Sequence, residues 1–505
     1  MPFVSATARM LCIATIGLLG ASSLSVAEPI DLGTRRELFV DHHLIDKLQG
    51  VRLRMHEPRD EGAVLAFDEP WEGGFSGYVT VVRDGDRYRA YYRGWPKVGQ
   101  DGQGEVTCYA ESADGMKWTK PRLGLFEVLG TKDNNVILAG IPGVSHNFAP
   151  FIDTRPGVAA DQRYKALGGT VRTGLMAFVS GDGTRWRKLR EEAVIPKAMV
   201  DFPSMFDSQN VAFWSETEGR YVSYFRVFKD KIRRVAWAAS DDFVNWSNVQ
   251  LMAYRAADGS PAPIEHVYTN QTHPYFRAPH IYVAIAARFM PNRQVLSPDE
   301  AKAIGVEARY FKDTSDAILM THRPGSGPVY DRTFLSAFVR PGIGHRNWTS
   351  RTNYPAPCIV QTGEHEMSIY INQDYAQPTA HLRRYSMRLD GLASARAEYS
   401  GGELITKPLR FAGKELRMNF ATSAAGGIRV EIQDEAGRPI PGFALGDAVE
   451  SIGNEIDRAA RWKSGADVSA LAGRTVRLRF VIKDADLYAI RFAAMKGSSP
   501  SGGGH

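Results

Sequence analysis

Ser112-Ala-Asp114-Gly115-Met-Lys-Trp118 decides the fold, because the chain repeats it. The phrase returns as Ser180-Gly-Asp182-Gly183-Thr-Arg-Trp186 and, worn, as Ser240-Asp-Asp242-Phe-Val-Asn-Trp246. More degenerate versions are Thr321-His-Arg-Pro-Gly325 and Arg388-Leu-Asp390-Gly391. Successive versions lie about 60 to 80 positions apart, and the first follows the alternating run Val106-Thr-Cys-Tyr-Ala-Glu111. A fixed period of that size, with several strands per unit, is the sequence sign of a β-propeller. Five versions predict five blades, each phrase lying between the two outer strands of its blade.

Working outward, each unit contains an inner hairpin. The clearest is Tyr78-Val-Thr-Val-Val-Arg83, turn Asp84-Gly85-Asp86, then Arg87-Tyr-Arg-Ala-Tyr-Tyr-Arg93. An Asp-Gly turn between alternating runs is a strong hairpin signal. Four more hairpins pair 147–152 with 164–167, 210–214 with 221–226, 273–277 with 281–288, and 356–360 with 367–372. Glu37–Asp41 and Val51–Met55 read as opening strands, one of which would close the ring on the last blade. An insertion from Pro291 to Lys312 carries Ser297-Pro-Asp-Glu300, the pattern of a capped helix start. From about Ala395 the pattern changes to cleanly alternating strands with turns such as Asp434-Glu-Ala-Gly437, which reads as a β-sandwich. The expected organisation is all-β: a signal peptide over 1–27, a five-bladed propeller over 28–394, a β-sandwich over 395–495 and a disordered Gly/Ser-rich tail over 496–505.

Composition bounds the function. The chain has 505 residues, 44% hydrophobic and 23% charged, with a formal net charge of +6. Arg9, the apolar run Leu11 to Ala21 and the small residues Ser25-Val26-Ala27 form a secretory leader, and the run is too short for a membrane span. Export to the periplasm or the extracellular space is therefore expected. No basic run points to nucleic acid. After removal of the leader only Cys108 and Cys358 remain, read as two buried thiols, with a disulfide left open until geometry is known. No Cys/His spacing suggests zinc; no cofactor is expected, although a structural calcium ion stays open. Oligomeric state is not legible.

Chain direction sorts the candidate site residues. In a propeller blade the innermost strand runs away from the ligand mouth and the second strand returns to it. Starts of first strands and ends of second strands therefore face the mouth. The starts supply Glu72, His146, Asn147, Asp207, Asn210, Tyr268, Asn270, Arg351 and Asn353. The ends supply Arg93, Arg226 and Arg288, with Arg277 nearby. Glu105 begins a third strand. Glycoside cleavage needs two carboxyl groups, one acting as acid and one as base or nucleophile, so Glu72 and Asp207 form the expected pair, with Glu105 in reserve. The guanidinium fork suits carboxylate or sulfate; alternatively each arginine pairs with a neighbouring acid. Trp71, Trp95, Trp348, Tyr268 and Tyr354 are candidate sugar platforms.

The run Gly77 to Arg93, followed by Ser112 to Pro121, resembles the propeller of five-bladed glycosidases of the glycoside hydrolase family 32/43-like group. Phe206-Asp-Ser-Gln-Asn-Val-Ala-Phe-Trp214 and Asp484-Ala-Asp-Leu-Tyr488 are similar to exported relatives from polysaccharide-degrading bacteria. The resemblance implies an acid at the mouth of each of the first three blades, which by position falls on Glu72, Asn147 and Asp207. The chain lacks the Asn-Asp-Pro-Asn-Gly, Arg-Asp-Pro and Glu-Cys motifs of family 32 and has Asn147 where that pattern has a stabilising Asp. The expected function is an exported glycoside hydrolase for an anionic, sulfated or uronate-containing glycan. Two rivals are a non-catalytic carbohydrate-binding propeller and a polysaccharide lyase whose base would be His146, Tyr268 or Tyr354, with Arg277 neutralising a uronate.

Overall fold

The computed structural model describes residues 28–95, 104–247 and 249–494. The signal peptide and the tail read from the sequence lie outside the described residues.

Five sheets form the propeller, antiparallel except where Ala253–Ala256 runs parallel to Val329–Arg332 at the edge of the fourth. Blade one is Gly77–Asp84, Arg87–Gly94, Val106–Ser112 and Val136–Leu138. Its inner turn closes with Asp84 opposite Arg87, and Gly85 supplies the left-handed φ of 59° that such a tight turn requires. Blade two is Ala149–Ile152, Tyr164–Gly168, Met176–Ser180 and Arg187–Lys188, and blade three is Val211–Ser215, Arg220–Lys229, Ile232–Ser240 and Gln250–Leu251. Blade four has a broken inner strand, His266–Thr269 then Thr272–Tyr275, against Ala278–Met290, followed by Thr314–His322 and Val329–Arg332. Blade five sets Tyr354–Pro355 and Val360–Gln361 against Glu366–Gln373, then His381–Arg388.

The repeated phrase is a device for joining blades. In its first three versions the Ser hydroxyl accepts the N–H of the residue three along (2.8–2.9 Å). The Asp carboxylate accepts the N–H groups of the residues two and three positions along, so the turn satisfies its own backbone. The turn then presses on the preceding blade. Tyr370 of blade five donates to the carbonyl of Gly115 at 2.6 Å, and Trp118 packs edge-on against the same ring. Trp186 packs likewise on Tyr91 of blade one. A Cβ at Gly183 would stand 2.7 Å from the Tyr91 hydroxyl, so the neighbour leaves room only for glycine.

The fourth phrase also links third and fourth strands. The fifth does not: Arg388–Gly391 leaves blade five for the second domain, and the outermost strand of that blade is Arg59–Ala66, from the start of the chain. The ring is thus closed by Arg59–Ala66 rather than by Glu37–Asp41 or Val51–Met55. Its acids face the basic third strand, with Asp60 on Arg383 at 2.7 Å and Glu61 on Ser386 at 2.6 Å. Val51–Met55 instead pairs with Ala393–Ala397, and Ile30–Gly33, Arg36–Leu38 and Ile45–Gln49 join the same ten-stranded sheet. The sandwich therefore recruits residues 30–55, which the sequence pattern assigns to the propeller. The reason is the apolar set Leu32, Phe39, Leu44, Ile45 and Val51, which completes the core built by Leu416, Phe420, Val430, Leu478 and Phe480. Ser297 caps the short helix Pro298–Ala303 with a reciprocal capping box, as its sequence predicts.

Charge ties the domains together. Asp390, fully buried in a left-handed conformation, accepts from Arg36 (3.0 Å), Tyr275 (2.9 Å) and Asn419 (2.9 Å) and pairs with Arg277. Beside it Arg323 of blade four holds Glu37 and Asp41. Removing one member of a buried network leaves the others uncompensated. Asp390→Ala is expected to lower unfolding stability by about 3–5 kcal/mol, read as a displaced urea midpoint; a loss within the range of a surface substitution would show that the junction holds without it.

Candidate active site

The chain enters its innermost strands under strain. Tyr78, Phe206, Gln271, Arg351 and Asn353, none of them glycine, all have φ between 49° and 66°. Left-handed backbone at such residues costs free energy and gathers where a site needs fixed geometry. Below this rim two glutamines cross the axis. Gln209 of blade three donates to Tyr78 O, Val79 O and Thr80 Oγ1 of blade one, and Gln271 of blade four donates to Gln209 and to Pro355 of blade five. They form a floor under the mouth. Beyond it a separate, mainly apolar cavity of about 470 Å³ opens at the other end of the channel, lined by Val82, Phe151, Phe213, His273 and Cys358 among others. Cys108 and Cys358 are both free thiols.

At the mouth three side chains from three blades form one hydrogen-bonded line. His146 Nδ1 lies 2.8 Å from Glu105 Oε1, and Nε2 lies 3.1 Å from Asp207 Oδ1. Arg226 donates to the other Asp207 oxygen at 3.0 Å. Exposure grades along the line: the Glu105 side chain is 1% exposed, that of His146 17% and that of Asp207 54%. Only Asp207 offers a carboxylate to an incoming molecule. Burial alone would raise the carboxyl pKa values; the charges and hydrogen bonds of Arg226 and His146 outweigh it at Asp207, and those of His146 and Arg93 at Glu105, so both stay below their ordinary values. Burial would likewise lower His146, but hydrogen bonds to Asp207 and Glu105 raise it above 6.5. Between the ordinary carboxylate range and pH 6.5 the arrangement is carboxylate, imidazolium, carboxylate, with the Arg93 guanidinium 3.3 Å from His146 Nδ1 opposing the imidazolium charge.

The arginines divide. Arg93 is enclosed, donating to Phe75 O and the Tyr375 hydroxyl, with the Tyr78 and Trp95 rings against it. Arg288 is neutralised by a two-pronged contact with Asp316 and by Glu265, as the alternative reading expected. Arg277 sits at the domain junction on Asp390, not at the mouth, because it lies in the turn after the inner strand of blade four. Arg226 and Arg351 do converge, both toward the Tyr268 ring, and Tyr354 packs on that ring at 5.1 Å.

Glu72 departs furthest from expectation. Its carboxylate is sealed, accepting from Tyr92 (2.6 Å), Lys120 (2.6 Å) and the Glu69 N–H (3.0 Å), with no side-chain exposure. It is a structural acceptor beneath blade one and does not share an opening with Asp207. The asparagines are likewise occupied with backbone. Asn147 bonds Gly169 and Phe206 O, Asn210 bonds Phe206 O, Asn270 accepts from Thr272 N–H, and Asn353 bonds Ser315 and Asn347 O. They shape the rim rather than line it. Sequence reasoning missed Arg233, whose guanidinium lies 4.7 Å from the Tyr268 ring centre. The signal was available: Arg233 begins a third strand, the position that nominated Glu105. Among the described residues no group of three or more His, Cys, Asp or Glu is arranged to hold a metal ion.

No protein-family model and no curated protein sequence matches the chain. Solved structures do resemble it in backbone trace. A BT0996–RGII complex aligns at TM-score 0.44 and 11% identity, over 66% of this protein and 92% of that one. An N-acetylgalactosamine deacetylase from F. plautii, in complex with blood group B trisaccharide, aligns at 0.40 and 12%, over 68% and 97%. The Bombyx mori GH32 β-fructofuranosidase BmSUC1 aligns at 0.40 and 11%, over 87% of this protein and 94% of its own length. The blade count rests on the strand pairing above. No helix among the described residues is long and apolar enough to cross a membrane.

The line of three fixes a pH window. His146, with its pKa raised, contributes stability that is full below pH 6.5 and is lost as pH rises through its folded value. Glu105 and Asp207, with theirs depressed, contribute stability that is full above the ordinary carboxylate range and is lost as pH falls through their folded values. All three contributions are therefore complete between about pH 4.5 and 6.5. Glu105→Gln is expected to lower the His146 pKa, read by imidazole NMR titration, and to move the alkaline loss of stability to lower pH. An unchanged histidine titration would break the proposed coupling.

Proposed function

We propose that the chain is an exported glycoside hydrolase, periplasmic or extracellular, that cleaves an anionic, sulfated or uronate-containing glycan at the propeller mouth. The observation that carries the reading is Asp207: half exposed, flanked by Arg226 and His146, and depressed in pKa. A carboxylate so held is a nucleophile or base at every physiological pH and a poor acid. The proton required by the departing oxygen is available from the imidazolium of His146. Glu105, buried behind it, is a positioning residue that orients the ring and favours its charged form. The expected pair of Glu72 and Asp207 is replaced by Asp207 and His146. The surplus of guanidinium groups over carboxylates around Tyr268 supports an anionic substrate.

One feature favours a second reading. His146 and Asp207 touch, so acid and base stand on one side of the pocket, an arrangement also suited to elimination from a uronate whose charge an arginine neutralises. A lyase would leave an unsaturated product absorbing in the near ultraviolet, and a hydrolase would not.

The test is a screen over sulfated and uronate-containing glycans with product analysis by mass spectrometry. Asp207→Asn is expected to reduce turnover by about 100-fold or more with the fold intact, and Glu72→Gln to leave turnover nearly unchanged while lowering stability. The rate should fall as pH rises through the His146 pKa. Binding without turnover of any glycan would reduce the chain to a carbohydrate-binding propeller.

A further inference from the structure

The mouth holds guanidinium groups whose donors have nowhere to go. Arg226, Arg233 and Arg351 approach the Tyr268 ring at 4.8, 4.7 and 5.9 Å. Arg226 is 2% exposed, and only its Nη2 meets an acid, Asp207. Its Nε and Nη1, together with Nε of Arg233 and Nε of Arg351, are buried without a hydrogen-bond partner. Arg233 has only a 3.4 Å contact with the ring nitrogen of His266, whose pKa is itself lowered by burial and by Arg233. Arg351 has no ion pair or hydrogen bond from its guanidinium among the described residues; its neighbours are the faces of Tyr268 and Tyr310. The acids Glu265 and Asp316 are taken by Arg288 and Arg332. The Tyr354 hydroxyl beside them is also buried and unpartnered.

Aromatic faces satisfy the charge of a guanidinium in part, but not its in-plane N–H groups. A buried donor without an acceptor costs free energy, and three such groups around one ring present donors that an oxyanion would satisfy. Its distance from the chemistry is set by Arg226, which meets Asp207 with one nitrogen and leaves the other two open. An anion seated on those nitrogens stands one guanidinium away from the Asp207 carboxylate.

We propose that Arg226, Arg233 and Arg351 hold an oxyanion substituent, a uronate carboxylate or a sulfate ester, carried by the same sugar ring whose glycosidic bond meets Asp207. The charged residue of the substrate is then the one processed, not a distant neighbour along the glycan. This rests on the reading of the mouth as the cleavage site. It excludes Arg93 and Arg288 from recognition, since their donors are already filled.

The experiment is calorimetry on the whole protein with glucuronate, galacturonate and galactose 6-sulfate, against glucose and galactose, and with inorganic sulfate alone. Charged sugars should bind roughly tenfold or more tighter than their neutral counterparts, with the uronate and sulfate arms telling which oxyanion is preferred. Added sodium chloride should weaken the preference. Arg351→Gln and Arg233→Gln should each remove most of it without lowering Tm, and Arg226→Lys should remove it in part. Equal binding of charged and neutral sugars would overturn the proposal. So would binding of inorganic sulfate but no charged sugar, no binding at millimolar concentration, or a preference that survives the Arg233 and Arg351 variants. Charge preference without turnover of any anionic glycan would instead sink the cleavage reading and leave this subsite standing.

Discussion

The antiparallel pairing of Arg59–Ala66 with His381–Arg388 makes a ring out of five sheets. Every other blade is built from consecutive chain. Only when the first described propeller strand returns to the last blade are blades one, two and three held at the angles that bring Glu105, His146 and Asp207 into line. The closing strand is largely exposed along its length and rests on charged contacts such as Asp60–Arg383, so much of its hold comes from ladder hydrogen bonds and fixed register. Register is what a site assembled from separate blades needs, because slippage by one residue would turn every side chain of the strand to the other face.

The mouth concentrates features that a structure selected for stability alone would avoid. Left-handed non-glycine residues ring it, and unpartnered guanidinium and hydroxyl groups lie buried in it. Each carries a cost, of order 1–3 kcal/mol for backbone strain. The rigid blade stack sustains them: the turn phrases press each blade on its neighbour, and the crossing glutamines fix the floor. The same blade stack places Arg226 and His146 beside Asp207, whose carboxyl they hold below its ordinary range.

Much of this was legible in the sequence. The Ser/Asp turn announces itself because its hydrogen bonds need those residue types at that spacing, and blade count followed from counting turns. Chain direction grouped Asp207, His146, Glu105, Arg226 and Arg351 at one end of the blades, where the structure brings them near one another. What it could not supply was which way a side chain points at a strand start. Glu72 turns inward because Lys120, almost fifty positions away, offers it a charge. Arg277 was lost to a buried acid, Asp390, whose conspicuous place in a degenerate phrase concealed a role in joining domains. Arg233 shows the opposite case, a residue reachable by the argument already applied to Glu105. The N-terminal strands misled because an alternating run fits a blade edge or a sandwich equally well, and only the core it completes decides between them.

The floor formed by Gln209 and Gln271 has a kinetic consequence. A through-going pore would let a polymer thread past Asp207 and leave at the far side. With the glutamines across the axis, a glycan cleaved at Asp207 as proposed would enter, and its product leave, by the same mouth. Under the proposed reading, accumulated product would compete directly with fresh substrate for that mouth, and the free end of a chain or side branch would reach Asp207 more readily than a polymer's interior.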